Sequence, residues 1–360
     1  MQAVYQARGF LPEHDPVRDF GTDTELSVLD ERGRDLPSLL HDDNFRQLAR
    51  EWHIPAWPSE DQNLGRLRLY YVRLGFLASA YINQVGQPRA TQLPANIAQP
   101  LCHACRLLNR PPILSYDGYA LYNWKRFDPQ GPIALGNIDT LQNFVHLYDE
   151  HWFILVHVEI EALAAAILSS ISSMTPALHS GDAATVHQHL QTIASTVWQQ
   201  VAVLRRIPEK MDPALYYRTF RPYIRFFEKV VYAGVDEAPM NFRGETGAQS
   251  SVIPLLVTLL KIPHQSSVLT DHLADMRNFM PQEHRNLLDE ISQLPPIRPL
   301  ADKSTFNDLL EAIATFREVH IGWAHQYINR WVPDPRGTGG TPYMQWLGQL
   351  IDETRAFKID

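Results

Sequence analysis

The sequence is poor in cysteine, with Cys102 and Cys105 as the two cysteines among 360 residues. Two cysteines cannot supply the set of disulfides that stabilises many small secreted proteins. Their C-x-x-C spacing has no second pair to complete a zinc site, and Arg106 follows where covalent c-type haem attachment needs a histidine. We therefore interpret them as reduced thiols on a helix, with metal binding or redox chemistry as the alternative.

The chain also lacks a basic run and an uninterrupted apolar span, and we expect no secretory signal. Its formal net charge is -8, and no cluster of lysine and arginine stands out to neutralise phosphates, which argues against a nucleic-acid partner. Residues 1–10 contain no apolar core of a secretory signal. The most apolar stretch, 152–171, contains His157, Glu159 and Glu161, which would be costly in a membrane. We expect a cytoplasmic protein that does not insert into a membrane.

Common catalytic motifs are missing as well. The chain has no Walker loop, no G-x-S-x-G and no H-E-x-x-H, so hydrolase and kinase activities have no support. His157 and Glu159 have the H-x-E spacing of zinc deaminases, but no downstream P-C-x-x-C supplies the thiolate ligands. The turn at 337–340 (GTGG) follows a predicted helix rather than a strand, which argues against a dinucleotide-binding βαβ unit.

The chain does contain helical periodicity over most of its length, whereas strand-like alternation is scarce. Proline-containing breaks at 110–113 and 128–132 mark joints between segments. We predict a mainly α fold with a small N-terminal domain (1–112), a connecting segment (113–138) and a large all-helical domain (139–360). The segments with helical periodicity are 64–82, 97–108, 139–173, 183–206, 213–233, 249–261, 269–280 and 282–293.

A further long helix is predicted near the C-terminal end, and it carries His320. Ser304 is a plausible N-cap, and apolar residues recur at helical spacing after it. His320 lies seven residues after Ile313 and four before Ala324, so it belongs to the apolar face. His325 is rotated by about 140° from it and should face solvent. His320 is therefore either a core histidine bonded to a backbone carbonyl or an axial metal ligand.

Two glycine-containing segments precede apolar helices. The first is 337–341 (GTGGT), where Thr341 is a good N-cap and Pro342 a good first residue for the final helix. Its exposed N–H groups and the Thr338 hydroxyl suit a carboxylate or a cofactor propionate. The second segment, 242–251 (FRGETGAQSS), offers a similar cradle. Each is alternatively an ordinary flexible loop, but two such loops and one histidine on an apolar face favour a cofactor pocket.

Short motifs recur through the chain in an order that carries a family resemblance. They are 93–100 (LPANIAQP), 111–116 (PPILSY), 123–125 (NWK), 249–251 (QSS), 276–281 (MRNFMP), 284–286 (HRN), Phe316 and Arg317 with His320, Tyr327 and Ile328, and 337–341 (GTGGT). In these motifs the chain resembles the haem-dependent indoleamine 2,3-dioxygenases from about residue 60 to about residue 350. So many matches in the family order are difficult to produce by chance.

The resemblance implies a fold, a cofactor and a reaction. The fold is a small N-terminal domain with a large all-helical domain that holds haem b, and His320 is the proximal ligand of the iron. The reaction adds both atoms of O2 across the indole C2=C3 bond of L-tryptophan or a close indole, giving N-formylkynurenine, while an electron donor keeps the haem ferrous. The alternatives are a member that acts on another indole and a haem-binding sensor without the chemistry.

The resemblance also implies roles for individual residues. Arg221 matches the arginine that binds the substrate carboxylate, although it is alternatively a surface residue of the basic cluster with Arg218 and Arg225. Thr338 matches a position near the substrate ammonium group and a haem propionate. The other residues expected at the cofactor under this resemblance are Tyr116, Gly244, Arg317, Gly337 and Gly339.

Two pairs of residues depart from the family pattern near the substrate. Tyr216 and Tyr217 stand where many members have two phenylalanines, so either hydroxyl is a hydrogen-bond donor to oxygen or substrate, or it lies at the rim in water. Glu245 and Thr246 stand where glycine and serine are usual. The Glu245 carboxylate would repel the substrate carboxylate, reach its ammonium group or turn outward.

Other departures concern the two faces of the haem. An alignment through Glu159 places Leu155 at the position of a distal serine and His151 at that of an aromatic residue. We therefore count both among the cofactor-contacting residues, with His151 either a distal hydrogen-bond donor or a polar substitution at the haem edge. Val257 stands where animal members often carry an aspartate that orients the histidine, which predicts a less anionic ligand and a higher haem potential.

Overall fold

The structure is a computed structural model that describes residues 3–22, 24–332 and 344–360. Most of the elements are helices, which confirms the predicted mainly α fold. The helices are α1 (Ala3–Arg8), α2 (Ser27–Leu39), α3 (Phe45–Glu51), α4 (Leu64–Ile82), α5 (Ala95–Leu107), α6 (Tyr148–Ser180), α7 (Ala183–Leu204), α8 (Pro213–Leu215), α9 (Val252–Leu260), α10 (Val268–Arg277), α11 (Gln282–Ser292), α12 (Lys303–Tyr327) and α13 (Met344–Ala356). The strands are β1 (Gln92–Leu93), β2 (Trp124–Arg126), β3 (Ile138–Thr140), β4 (Phe227–Tyr232) and β5 (Asp236–Phe242).

Three long helices, α6, α7 and α12, form the centre of the helical part, and α7 packs against both of the others. Gly181 ends α6 in the left-handed region with φ 75°, a conformation that glycine adopts without steric cost. Asp182 then caps α7, because its carboxylate accepts hydrogen bonds from the backbone N–H groups of Ala184 and Thr185. This tight connection makes α6 and α7 neighbours that run in opposite directions.

The helix that carries His320 begins earlier than predicted. Asp302 is the N-cap of α12, and its carboxylate accepts a hydrogen bond from the Thr305 N–H group at 3.0 Å. The prediction of Ser304 as the cap is therefore wrong by two residues, because both side chains suit the role and local sequence does not separate them. α12 ends at Tyr327, and residues 329–331 form a separate 3-10 turn.

α6 is long and apolar enough, by length and composition, to cross a membrane. These two properties are weak evidence for a span, since the core helix of a folded protein shares them. α6 packs against α1 and α7, and most of its apolar window is buried inside the protein. Its buried carboxyls Glu150 and Glu161 both have hydrogen-bond partners in the protein. The composition of α6 therefore reflects its central place in the core.

β4 and β5 form an antiparallel hairpin inside the part of the chain that we predicted to be all-helical. β1 pairs with β4 in parallel, with Gln92 opposite Val231, which gives a three-stranded sheet in the order β1-β4-β5. The prediction of one helix over 213–233 is wrong beyond Phe220, where a π-helical turn after α8 ends. The following run is rich in β-branched and aromatic residues and finds strand partners, and Gly234 supplies the turn with φ 72°.

The predicted domain boundaries at residues 112 and 139 stay a prediction, but contacts cross the proposed division. α6 begins at Tyr148 rather than at residue 139, because residues 138–140 form β3 and pair with β2. α1 lies against α6, and the Phe10 N–H group donates to the Glu161 carbonyl at 3.4 Å. Gly9 has φ 64°, and a Cβ there would overlap the backbone of α6. Phe10 therefore packs in the same apolar core as the large helical part.

Candidate cofactor and substrate site

A cavity of about 430 Å³ lies between α6, α9, α10 and α12. This volume is in the range of sites that hold small molecules and cofactors. One wall is a stripe along α12 whose members are three or four positions apart and therefore share a face. The α12 stripe consists of Phe316, Arg317, His320, Trp323, Ala324, Tyr327 and Ile328.

His320 presents its imidazole to this cavity. Its side chain is exposed to the cavity, and among the described residues no group forms a hydrogen bond with either ring nitrogen. Burial within the protein, and then the nearby His157, lower the pKa of His320 to about 4, so the ring is neutral at neutral pH. The alternative of a core histidine bonded to a backbone carbonyl is therefore wrong. His325 is exposed, as predicted.

A second histidine, His157 of α6, lines the same cavity. Its Nδ1 lies 2.7 Å from the Phe153 carbonyl oxygen, which can only accept, so Nδ1 carries the proton and donates. Burial lowers the pKa of His157, which favours the neutral ring. The other ring nitrogen, Nε2, is then a hydrogen-bond acceptor available to a molecule in the cavity.

Leu155 and His151 do not line the cavity, and their assignment as cofactor-contacting residues is wrong. Leu155 is buried in the core that α6 shares with the N-terminal helices. His151 Nδ1 lies 2.9 Å from Asp139 Oδ1 and 2.9 Å from Thr140 Oγ1, on a different face of the helix. The sequence-based alignment used Glu159, whose carboxylate accepts a hydrogen bond from the Leu135 N–H group instead.

Anchoring the same alignment on Glu161 corrects the error of two residues. Counting back four and eight residues from Glu161 reaches His157 and Phe153, and both line the cavity. The aromatic position is then filled by an aromatic residue, and the polar position by a histidine. Sequence reasoning missed His157 in this role, although the rejected H-x-E motif had already drawn attention to it.

Glu161 joins α6 to the glycine-containing segment at 242–251. The Tyr116 hydroxyl and the Ser250 hydroxyl donate to Glu161 Oε1 at 2.7 Å and 2.6 Å. Burial raises the pKa of Glu161 to about 7 in spite of these two bonds. The Tyr116 N–H group donates to Gln249 Oε1 at 2.9 Å, and Gln249 Nε2 donates to the Gly244 carbonyl at 2.9 Å. These bonds fix the segment beside the cavity.

The members of this segment have different relations to the cavity. Glu245 and Thr246 line it, and their contact with a cofactor stays a prediction. Gly244 is not part of the lining; its role is close packing, since a Cβ there would collide with the backbone of residues 224–226. Burial raises the pKa of Glu245 to about 8. Glu245 is 2% exposed and lines the cavity, so it faces inward, which excludes the outward-turned alternative.

Tyr216 lines the cavity, whereas Tyr217 does not. The Tyr216 ring packs against Phe153 and Tyr327 with centroid distances of 5.6 Å in each case. Burial, offset in part by a hydrogen bond from Arg221, raises the pKa of Tyr216 to about 12. The Tyr217 ring instead stacks on Trp331 with a centroid distance of 5.7 Å.

Arg221 is 7% exposed, so the alternative of a surface arginine is wrong. Its guanidinium lies over the Tyr217 ring at 5.4 Å and bonds the Tyr216 hydroxyl. Arg221 is not itself among the described residues that line the cavity, but Tyr216, which it bonds, is. Gly337, Thr338 and Gly339, which we also predicted at the site, lie outside the described residues.

Arg317 brings a buried positive charge to the α12 stripe. It donates to the Leu350 carbonyl and the Thr354 hydroxyl of α13. Its Nη2 also lies 3.3 Å from His264 Nε2, and His264 Nδ1 lies 2.7 Å from a Glu353 carboxylate oxygen. Burial lowers the pKa of Arg317 to about 10, which leaves it charged at neutral pH. The cavity wall thus combines an uncoordinated imidazole with a fixed cation.

Comparison with known proteins agrees with this arrangement. The family model described as Indoleamine 2,3-dioxygenase matches residues 2–331. The chain belongs to the indoleamine 2,3-dioxygenase family. It is 28% identical to Indoleamine 2,3-dioxygenase 1 of Rattus norvegicus, over 89% of this chain and 87% of the relative. It is 29% identical to Indoleamine 2,3-dioxygenase of Saccharomyces cerevisiae, over 97% of this chain and 91% of the relative.

One relative has a different name. The chain is 26% identical to the protein named Myoglobin of Haliotis madaka, over 89% of this chain and 86% of that protein. The relatives of this chain are therefore not all named as dioxygenases. The residues of the cavity, rather than the family alone, have to support a function for this chain.

The residues of the cavity fit a haem. A metal ion held by side chains alone needs three or four donors, and the described part of the chain contains no group of three or more His, Cys, Asp and Glu that could hold one. His320 offers one neutral nitrogen, which is sufficient for haem iron because the porphyrin supplies the in-plane ligands. Arg317 on the same stripe suits an acidic substituent of the cofactor.

The cysteine pair plays no part in this site. Cys102 and Cys105 are free thiols buried in α5, as the sequence-based interpretation stated. Burial raises the pKa of Cys102 to about 11 and that of Cys105 to about 12. Both thiols are therefore protonated at neutral pH and unreactive.

Proposed function

We propose that this chain is a haem-dependent dioxygenase that adds both atoms of O2 across the indole C2=C3 bond of L-tryptophan or a close indole relative. The product from L-tryptophan is N-formylkynurenine. The observation that carries the proposal is His320, a neutral imidazole without a hydrogen bond among the described residues, on the wall of a cofactor-sized cavity. Membership in the indoleamine 2,3-dioxygenase family supports the same assignment.

Haem b is the cofactor of this proposal. His320 would ligate its iron, and Arg317 would pair with one of its acidic substituents. Bound ferrous haem would supply the centre at which O2 is activated, and an electron donor outside the chain would return it to that state. Val257 lines the cavity without an acceptor for His320, which fits the expectation of a less anionic ligand.

Aromatic side chains make the remainder of the cavity suitable for an indole. The Tyr216 ring contacts the rings of Phe153 and Tyr327, with a centroid distance of 5.6 Å in each case. The Tyr327 hydroxyl donates a hydrogen bond to the Met211 carbonyl at 2.8 Å. These rings present apolar surface, which excludes water from the reacting atoms and provides stacking partners for the indole.

His157 would orient the indole. Because its Nδ1 proton is used by the Phe153 carbonyl, Nε2 accepts rather than donates. The indole N–H group is the one donor of that ring system, so a hydrogen bond to Nε2 would fix the ring in the cavity. The reaction needs no strong base, and His157 would act as a positioning residue whose proton stays on Nδ1.

Arg221 would bind the substrate carboxylate, assisted by Tyr216. A guanidinium binds a carboxylate through two parallel hydrogen bonds. Its bond to the Tyr216 hydroxyl holds it beside the cavity wall. Burial of Arg221 strengthens such a pair because water does not screen it.

A second candidate is a haem-binding protein without turnover. The similarity to a protein named Myoglobin favours it, together with replacement of an expected small polar distal residue by His157. Both candidates require the same ligand, His320, so haem binding alone does not separate them.

Product formation separates the two candidates. The haem-loaded protein is incubated with reductant, air and L-tryptophan, and N-formylkynurenine is followed by absorbance and chromatography. The dioxygenase proposal predicts a product that needs haem, O2 and L-tryptophan together. A stable haem spectrum without product from L-tryptophan or other indoles would favour the haem-binding candidate, and a protein that binds no haem would contradict both.

A further inference from the structure

Glu245 is a buried carboxyl group without a partner in the described part of the protein. The residue is 2% exposed, and its side chain lines the cavity. Among the described residues, none donates a hydrogen bond to Glu245 or forms an ion pair with it. Burial is therefore the cause of its raised pKa. Glu245 lies close enough to Tyr116 and Tyr216 to raise the pKa of each, in addition to the larger effect of their own burial.

The other buried glutamates near the cavity provide a direct comparison. Glu150 accepts hydrogen bonds from the Tyr119 hydroxyl at 3.0 Å and from the Phe144 N–H group at 2.8 Å. Glu161 accepts from the hydroxyls of Tyr116 and Ser250. The fold thus gives each of these two carboxyl groups donors of its own, although Glu161 Oε2 has no hydrogen-bond partner. Glu245 differs from them because it faces the cavity.

A buried carboxyl group without a donor is costly, and native proteins pair nearly all such groups. Since Glu245 faces the cavity, its partner can arrive with a ligand. A cationic partner favours the ionised form of the carboxyl group, and an ammonium group forms charge-assisted hydrogen bonds with the carboxylate that results. The same charge repels a carboxylate, so the acidic groups of any ligand must lie elsewhere.

A group of the opposite charge also contacts Tyr216. Arg221 bonds the Tyr216 hydroxyl, and Tyr216 lines the cavity within the electrostatic influence of Glu245. An α-amino acid carries an ammonium group and a carboxylate on one carbon atom, so a cation and an anion that both act on one cavity-lining side chain match it. An indole without the amino group would leave Glu245 unpaired.

We propose that Glu245 binds the α-ammonium group of an amino-acid substrate whose carboxylate is bound by Arg221. This inference rests on the proposed function and adds a residue that determines specificity for the amino group. Glu245 replaces a residue without a side chain at this position of the family pattern, so that ammonium recognition by a protein carboxylate is a property of this chain's own sequence.

The test is ligand binding to the haem-loaded protein under argon, where no turnover occurs. Three ligands are titrated by calorimetry and by the change in the haem absorption band: L-tryptophan, tryptamine without the carboxylate, and indole-3-propionate without the amine. Glu245→Gln is expected to raise the dissociation constants of L-tryptophan and tryptamine roughly tenfold to a hundredfold, because a bond between charged groups is lost. Binding of indole-3-propionate should stay the same or improve.

Glu237→Gln is the matched control, since Glu237 is an exposed residue of β5 close in sequence. It removes the same charge and should change none of the three dissociation constants. Equal effects of Glu245→Gln on all three ligands, or no effect on any, would overturn the inference. Should Glu245→Gln fail to bind haem, the unsubstituted protein decides alone: L-tryptophan must bind about tenfold tighter than indole-3-propionate.

Turnover keeps this inference apart from the proposed function. Preference for the amine-bearing ligands without formation of N-formylkynurenine would leave the Glu245 assignment standing and overturn the dioxygenase. Formation of product with the same dissociation constants in Glu245→Gln would do the reverse. A protein that binds none of the three ligands would contradict the Glu245 assignment.

Discussion

At the scale of single residues, the site depends on two histidines whose ring nitrogens have different tasks. His320 on α12 has no hydrogen bond among the described residues, so its lone pair is available to iron. His157 on α6 has Nδ1 committed to the Phe153 carbonyl, so Nε2 is limited to accepting. The spacing of the sequence was sufficient to place His320 on the apolar face of a long helix, but it left a core histidine and a metal ligand open, and the ligand role was implied by the family resemblance.

His157 was not predicted at the site, for a reason that is itself local. Glu159 and Glu161 are two residues apart in the same helix, and the sequence does not show which of them is buried. The structure shows that Glu161 is buried with bonds to Tyr116 and Ser250, while Glu159 is only half-buried and accepts from the Leu135 N–H group. The anchor of the alignment therefore depended on tertiary contacts.

Replacement of His157 by leucine should raise KM for L-tryptophan about threefold to tenfold, because the acceptor for the indole N–H group is lost. 1-Methyl-L-tryptophan has no such N–H group, so its dissociation constant should change little. The measurement compares both ligands in the unsubstituted protein and in His157→Leu. Equal weakening of the two ligands would show that His157 acts on the shape of the cavity instead.

Replacement of Arg221 by leucine should raise KM for L-tryptophan by an order of magnitude or more, since the carboxylate loses its paired cation. Arg221→Lys should give a smaller increase because it keeps the charge without the guanidinium fork. Arg218→Leu is the control, because Arg218 is exposed in the same turn. An unchanged KM in Arg221→Leu would remove this residue from the substrate site.

At the scale of elements, the segment between β5 and α9 determines the position of Glu245. The bonds of Gln249 to the Tyr116 N–H group and the Gly244 carbonyl fix the segment, and Glu161 fixes Ser250. The sequence predicted a cradle here from its glycines, and Glu245 and Thr246 do line the cavity. The contacts of Gly244 with residues 224–226 could not be predicted, because those residues belong to another element.

Gly244→Ala should lower the stability of the protein by roughly 1–3 kcal/mol, because its Cβ would collide with the backbone of residues 224–226. Thermal unfolding measures this loss. Gly247→Ala is the control in the same segment, since a Cβ there meets no atom within 4 Å. Similar melting temperatures for the two variants would mean that Gly244 is not required for the packing of this segment.

At the scale of the whole molecule, most helices were predictable and most strand pairs were not. The α12 stripe and the Leu64–Ile82 helix follow from local periodicity, whereas β4 in the segment 213–233 was mistaken for helix. β4 becomes a strand because it pairs with β1 and β5, and β1 is more than a hundred residues away in sequence. Local spacing contains no information on such a partner.

The pH dependence of stability should reveal the charge of Glu245 in the intact fold. Burial raises its pKa to about 8, well above that of an unfolded chain, so the native state binds the additional proton between those values. The stability from this group is therefore fully present at low pH and is lost as the pH rises through about 8.

Urea unfolding of the protein without haem at several pH values between 5 and 8 measures this loss. The free energy of unfolding should fall more steeply with rising pH in the unsubstituted protein than in Glu245→Gln. The difference between the two slopes should be up to about 1.4 kcal/mol per pH unit. The difference between the two proteins cancels the contributions of other titrating groups. Parallel pH profiles would show that Glu245 already has a partner in the native state.

The haem content of His320→Ala after reconstitution tests directly whether His320 holds a haem. His325→Ala is the matched control, because His325 lies on the same helix and faces solvent. If His320 ligates the iron, His320→Ala should bind at least about tenfold less haem per chain, whereas His325→Ala should bind a normal amount. The helical signal in circular dichroism should be the same in both variants. Normal haem content with an unchanged absorption spectrum in His320→Ala would contradict the account.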